Sequence, residues 1–301
     1  HLETIYPSIF RKVSLPLFSE EKLPTPDGDF LELDWYRRGQ SKLVIISHGL
    51  EGNSKRPYIV GMARSLFESD YDILAWNYRG CGTELNQKAI FYHSGATYDL
   101  DTVVNRAQSE YDRIYLVGFS LGGNLTLKFL GEKGNSNPKI KKAVAISVPL
   151  DLGGSCDQIS SGQNRLYAMR FLKTLLEKVE RKAEKFPEIL PQKSLKSIQT
   201  LRDFDDLITG PLHGFKNAEE YYRVNSSLQF LDRIEVPTLI LNAQNDPFLS
   251  PSCFPTAIAK KLDTIHLEVP RHGGHVGFTT GLSEKTYYSE ARAVEFINND
   301  L

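Results

Sequence analysis

Apolar and polar positions follow two rhythms along this chain. Four continuous apolar runs, Lys42-Leu43-Val44-Ile45-Ile46-Ser47, Tyr71-Asp72-Ile73-Leu74-Ala75-Trp76, Arg113-Ile114-Tyr115-Leu116-Val117 and Ala143-Val144-Ala145-Ile146-Ser147-Val148, read as strands buried on both faces. The segments between them repeat at helical spacing. From Arg56 to Ser69 the side chains of Ile59, Met62, Ala63, Leu66 and Phe67 share one side; a second helix runs from about Asp99 to Gln108, and a third carries Asn124 to Leu130. Strands that alternate with helices need crossovers, and right-handed crossovers build a mostly parallel sheet. Upstream, Asp29 to Trp35 alternates like a strand after the turn Pro26-Asp27-Gly28. The first 20 or so residues show little periodicity and are expected to wrap the surface.

The alternation stops after Val148 and resumes at Pro237-Thr238-Leu239-Ile240-Leu241. In the roughly 80 residues between, Ala168, Phe171, Leu172, Leu175, Leu176 and Val179 recur at helical spacing, with Lys, Glu and Arg on the other side through Lys185. This predicts a helical cap inserted at 151–225, over the carboxyl ends of the strands of a core built from 1–150 and 226–301. The alternative is plain helical packing on the main domain. A strand from Thr264 to Val269 and a helix from about Lys285 to Asn298 close the chain.

Composition narrows the class. The chain has 301 residues, 41% hydrophobic and 24% charged, enough for a large core in one compact unit. A net charge of −1 lacks the basic footprint of a nucleic-acid binder. The apolar runs fall short of the roughly 18 to 20 residues that span a bilayer, so no transmembrane helix is predicted. Peripheral membrane contact through the amphipathic cap helix stays open, although its mixed charges fit a solvated lid better. Cys81, Cys156 and Cys253 lie far apart with no Cys-x-x-Cys, which argues against a disulfide framework or a structural zinc and for a reducing, cytoplasmic setting. The sequence starts at His1, so a preceding targeting segment would be invisible in it.

Candidate chemistry centres on Gly118-Phe119-Ser120-Leu121-Gly122-Gly123, placed between a strand and a helix. A serine on such a turn is a nucleophile elbow, where Gly118 and Gly122 are needed because a Cβ would collide with the tight backbone. A serine needs a base, and the base an orienting acid. In sheets of this type these follow in the order serine, acid, histidine. Asp246 follows the strand Leu239-Ile240-Leu241, and His275 follows the last strand, so both sit on the rim where strands end. Asp232 and Asp263 are weaker because neither follows a strand directly. His272 competes with His275, which is favoured by its flanking glycines; a metal at the two histidines would want a third ligand. The N–H groups of Leu50 and Leu121 are the natural oxyanion donors. His48 reads as a residue that fixes its turn, and Glu51 as either a lining residue or a solvated loop charge.

The set His48-Gly49-Leu50-Glu51-Gly52, Asn77-Tyr78-Arg79-Gly80-Cys81, Tyr92-His93-Ser94-Gly95, Gly118 to Asn124 and Gly273-Gly274-His275-Val276-Gly277-Phe278 resembles the YheT-like branch of the α/β-hydrolases, also described as embryogenesis-associated-protein-like. The cap segment Phe204-Asp205-Asp206-Leu207-Ile208-Thr209-Gly210-Pro211-Leu212-His213-Gly214-Phe215, followed by Tyr221-Tyr222, is similar to one particular to that branch. Departures fall at Gly82-Thr83, Ala96 and Tyr288, away from the serine, acid and histidine. The resemblance implies an α/β-hydrolase fold and a serine hydrolase of carboxylic esters, short-chain or lipid, with no cofactor or metal required. Phospholipid or thioester deacylation by the same residues, and a non-catalytic binding protein on this scaffold, are the alternatives.

Overall fold

The structure is a computed structural model that describes residues 1–16, 19–190, 195–281 and 285–299. Eight strands form one sheet: β1 (Ser19–Pro24), β2 (Phe30–Tyr36), β3 (Lys42–Ser47), β4 (Asp72–Asn77), β5 (Arg113–Phe119), β6 (Ile140–Ile146), β7 (Thr238–Leu241) and β8 (Ile265–Glu268), in the order β1-β2-β4-β3-β5-β6-β7-β8. The β1/β2 and β2/β4 pairs are antiparallel and the rest parallel. This is the mostly parallel α/β architecture that the apolar runs imply.

Successive residues of the central strands point to opposite faces. In β3, Leu43 and Ile45 join one apolar cluster, whereas Val44 and Ile46 join the other. Both faces are therefore dry, and the strands need apolar residues at every position, which is the pattern they show. Helices α2 (Pro57–Glu68), α3 (Thr97–Ala107) and α4 (Leu121–Lys133) make the crossovers; the predicted strand at 143–148 lies earlier, at Ile140–Ile146.

Two elements at the start depart from expectation. The first 20 residues contain helix α1 (Leu2–Phe10) and strand β1. In α1 the usual pattern is inverted, because Thr4 and Pro7 are buried while Leu2, Ile9 and Phe10 are exposed. A reading that seeks an apolar face turned inward misses such a helix. Strand β1 is a charged edge, Ser19-Glu20-Glu21-Lys22-Leu23-Pro24, with no buried residue to announce it.

Between β6 and β7 the chain is helical: α5 (Leu152–Ser160), α6 (Arg165–Ala183), a run from Leu201 to Leu212 and α7 (Ala218–Asn225). Their apolar sides form a third cluster that also takes in Leu50, Phe91 and Phe248, all from loops that follow strand carboxyl ends. Helix α8 (Tyr288–Asn298) packs with α2 on the opposite sheet face.

Candidate active site

Strand β5 delivers Phe119 into the sheet, and the next residue turns sharply. Ser120 has φ 52° and ψ −118°, a conformation that L-residues rarely adopt and that costs on the order of 1–3 kcal/mol. The glycines around it make room for the turn. A Cβ on Gly118 would lie 2.3 Å from the Gly122 carbonyl oxygen, and one on Gly122 would lie 2.5 Å from the carbonyl oxygens of Ser47 and His48. Helix α4 begins directly after Ser120, so the first-turn N–H groups of the helix have no intrahelical acceptor.

The two remaining members arrive from the loops after β7 and β8. His275 Nε2 lies 2.9 Å from Ser120 Oγ, and His275 Nδ1 lies 2.9 Å from Asp246 Oδ2. Asp246 is 5% exposed and His275 8%. The Phe248 ring packs on the imidazole at 4.2 Å between centroids. His272, by contrast, has a side chain 79% exposed and faces Glu3. Asp232 and Asp263 are exposed and take no part.

The turn after β3 is held from several sides. Gly49 N–H donates to Tyr58 Oη at 3.0 Å and Glu51 N–H to Tyr92 Oη at 2.9 Å, while Leu50 N–H between them has no acceptor among the described residues. A Cβ on Gly49 would stand 3.2 Å from that of Ser120, so this turn and the elbow abut. His48 fixes the turn: its Nδ1 donates to the Gly49 carbonyl at 2.7 Å and its Nε2 accepts from Tyr78 N–H at 3.3 Å. Burial lowers its pKa to about 3, so it remains a neutral imidazole. Glu51 is a lining residue. It accepts from Tyr92 Oη and, at 2.6 Å, from Lys178 Nζ of α6, a nearly buried ion pair that ties the helical segment to this loop.

The sequence offered no signal for the support of the histidine loop. His275 N–H donates to Thr4 Oγ1 at 2.9 Å, and Gly273 N–H donates to Glu3 Oε2 at 3.0 Å. Asn245 donates to the same Glu3 oxygen and accepts from Gly274 N–H. Helix α1 thus braces the acid loop and the histidine loop together. If His275 serves as a base to Ser120, a Glu3→Ala, Thr4→Val double variant should lower kcat about 10-fold with KM within about 2-fold, measured by steady-state kinetics, because misplacement of a reacting group affects the chemical step. A change confined to KM would contradict the bracing role.

Above Ser120 and His275 opens a cavity of about 380 Å3, walled mainly by apolar side chains of the helical segment, among them Leu152, Ile159, Leu175, Val179, Phe204 and Ile208. The three cysteines are separate buried thiols. Among the described residues no group of three His, Cys, Asp or Glu side chains is placed to hold a metal ion, and no helix is long and apolar enough to cross a membrane.

Residues 42–282 match the alpha/beta hydrolase fold family. YheT of Escherichia coli (strain K12) is 34% identical over 310 residues, an alignment that covers 100% of this chain and 91% of YheT. The monoacylglycerol lipase of Saccharomyces cerevisiae is 33% identical over 260 residues; the match takes in 82% of this chain but only 57% of the yeast protein. Among solved structures, the Pyrococcus furiosus esterase Pf2001 superposes with a TM-score of 0.62 at 17% identity, covering 95% of this chain and 97% of that one, a likeness of fold.

Proposed function

The chain belongs to the α/β-hydrolase fold family, in its YheT-like branch, and from that premise we propose that it is a serine hydrolase of carboxylic esters, short-chain or lipid, with Ser120, His275 and Asp246 as its catalytic residues. The observation that carries the reading is the pair of 2.9 Å contacts that link Ser120 Oγ through His275 to Asp246 at the base of an apolar cavity.

The chemistry follows from those contacts. Ser120 Oγ attacks the ester carbonyl as its proton passes to His275 Nε2, and Asp246 holds the imidazole with its other proton on Nδ1 and stabilises the imidazolium. The carbonyl oxygen becomes an alkoxide that accepts from the N–H groups of Leu50 and Leu121, which the helix α4 dipole favours. The C–O bond to the leaving alcohol then breaks as His275 returns the proton to it, which leaves an acyl-serine. Water, deprotonated by the same histidine, attacks the acyl carbon and releases the acid. The helical segment 151–225 serves as the cap that excludes water and supplies the acyl wall. The relatives whose names contain esterase and lipase act as precedent for this class of reaction. A binding protein without turnover would have no use for a strained serine hydrogen-bonded to a buried imidazole.

The test is steady-state hydrolysis of p-nitrophenyl esters from acetate to laurate by the wild-type protein. We expect turnover with a clear optimum in chain length, because a walled cavity of fixed volume admits a limited acyl chain. Absence of turnover across the whole series by folded protein would overturn the proposal.

A further inference from the structure

The turn that carries Leu50 is held from two sides, one in the core and one reached from the helical segment. Leu50 N–H lies between two N–H groups that donate to tyrosine hydroxyls. Tyr58 of α2 accepts from Gly49 N–H at 3.0 Å, and Tyr92, from the connection between β4 and α3, accepts from Glu51 N–H at 2.9 Å. The Tyr92 hydroxyl donates back to Glu51 Oε1 at 2.8 Å, which closes a ring through a single residue. That same carboxylate oxygen accepts from Lys178 Nζ at 2.6 Å, and Lys178 belongs to α6. A short chain of contacts therefore runs from α6 through Lys178 and Glu51 to the residue beside Leu50.

Glu51 needs such restraint. Its φ is 51°, in the left-handed region that a residue with a Cβ rarely occupies. A conformation of that kind persists where the surroundings over-determine it. The Glu51 carbonyl is also engaged, by Arg56 Nη2 at 3.1 Å, but that bond is exposed to water, whereas the Lys178 and Glu51 side chains and Tyr92 are nearly or fully buried. Withdrawal of two charges from water offsets much of the attraction between them, so what this ion pair fixes is geometry more than stability. Burial alone would lower the Lys178 pKa; Cys81 and Glu51 beside it outweigh burial and raise it, so the ammonium stays charged.

The next turn of α6 acts on the other arm. Lys182 Nζ donates to the Ile90 carbonyl at 2.9 Å and to the Lys88 carbonyl, with the Phe91 ring 4.4 Å away. Helix α6 thus grips both Glu51 and the segment that presents Tyr92. Leu121 N–H, in contrast, is set by the elbow and the start of α4.

We propose that Lys178 and Tyr92 are positioning residues for the Leu50 N–H, so that the oxyanion hole is complete only while α6 is seated on the turn after β3. This rests on the ester-hydrolase reading and on Leu50 as one of its two donors. It gives the helical segment a part in the chemical step beyond that of a wall, because displacement of α6 releases a strained turn and withdraws a donor from the alkoxide.

The test separates substrate binding from stabilisation of the oxyanion. Hydrolysis of p-nitrophenyl octanoate is measured beside inhibition by an octyl trifluoromethyl ketone. Ser120 Oγ adds to the ketone carbon as its proton passes to His275, and the ketone oxygen becomes an alkoxide in the oxyanion hole. Lys178→Met keeps the stem and removes the ammonium. We expect its kcat to fall about 10- to 100-fold with KM within about 3-fold, and Ki for the ketone to rise by a factor similar to that in kcat, the size of an oxyanion donor partly lost. Lys178→Arg, which keeps a cation on Glu51, should recover most of both. A higher KM with kcat and Ki unchanged would mean that Lys178 meets the substrate instead, and a lower kcat with Ki unchanged would place the defect outside the oxyanion hole; either result overturns the proposal and leaves the ester-hydrolase reading intact. A wild type that turns over no ester removes that reading and the proposal with it. Thermal melting shows whether Lys178→Met is folded. If it is not, Tyr92→Phe, which removes both hydroxyl contacts to Glu51 and keeps the ring, takes its place with the same expected pattern.

Discussion

Replacement of Ser120 by alanine is expected to lower kcat for ester hydrolysis by at least about 10^4-fold, with the melting temperature changed by no more than a few degrees. The variant deletes one oxygen and nothing that packs. The backbone strain at φ 52° is set by the elbow and persists in alanine, so stability has little reason to move. A loss of this size follows if the hydroxyl is the atom that bonds to the acyl carbon, since the oxyanion donors and the cavity supply only the residual rate. His275→Ala should cost a similar factor, and the double variant should be scarcely slower than either single one, if the two residues act in one step. Additive losses would mean that they do not.

A second large effect falls on stability and concerns a residue far from the acyl carbon. Arg79 follows β4 and is 2% exposed in its side chain. It donates to both oxygens of Asp99, at 2.7 and 2.9 Å, in the first turn of α3, and also to Asp27 and Asp29 in the turn before β2. Arg79→Met leaves Asp29 and Asp99 buried without their ion-pair partner, so we expect a loss of about 3–5 kcal/mol in urea unfolding at neutral pH. The pH dependence has a defined sign. The Arg79 hydrogen bond holds Asp27 down at about 2; its contribution is present above the ordinary aspartate value of about 3.9 and is lost as pH falls through 2. The gap between wild type and variant should therefore narrow between about pH 4 and pH 2. A gap that is constant across that window would contradict the assignment.

The central strands were legible in the sequence because parallel strands dry on both faces need apolar residues throughout, and β3, β4 and β5 announce themselves that way. The order of Ser120, Asp246 and His275 was legible for a related reason: each follows a strand, and strand ends converge on one rim. His275 over His272 rested on glycines, and the structure brings His275 to Ser120 while His272 faces solvent. Helix α1 was illegible because it buries only Thr4 and Pro7 and its partners, the loops at 245 and 273, lie some 240 and 270 residues away. Glu51 could not be decided from sequence, since its partner Lys178 sits on the charged side of a helix whose surface pattern predicts only solvation.

The measurement that bears most directly on the account is reaction of the folded wild-type protein with a fluorophosphonate, followed by intact mass and peptide mapping, with Ser120→Ala and His275→Ala beside it. We predict one adduct, on Ser120, absent from Ser120→Ala and formed at least about 10^3-fold more slowly in His275→Ala. A folded wild type that takes no label, or a Ser120→Ala variant labelled to the same extent, would contradict it.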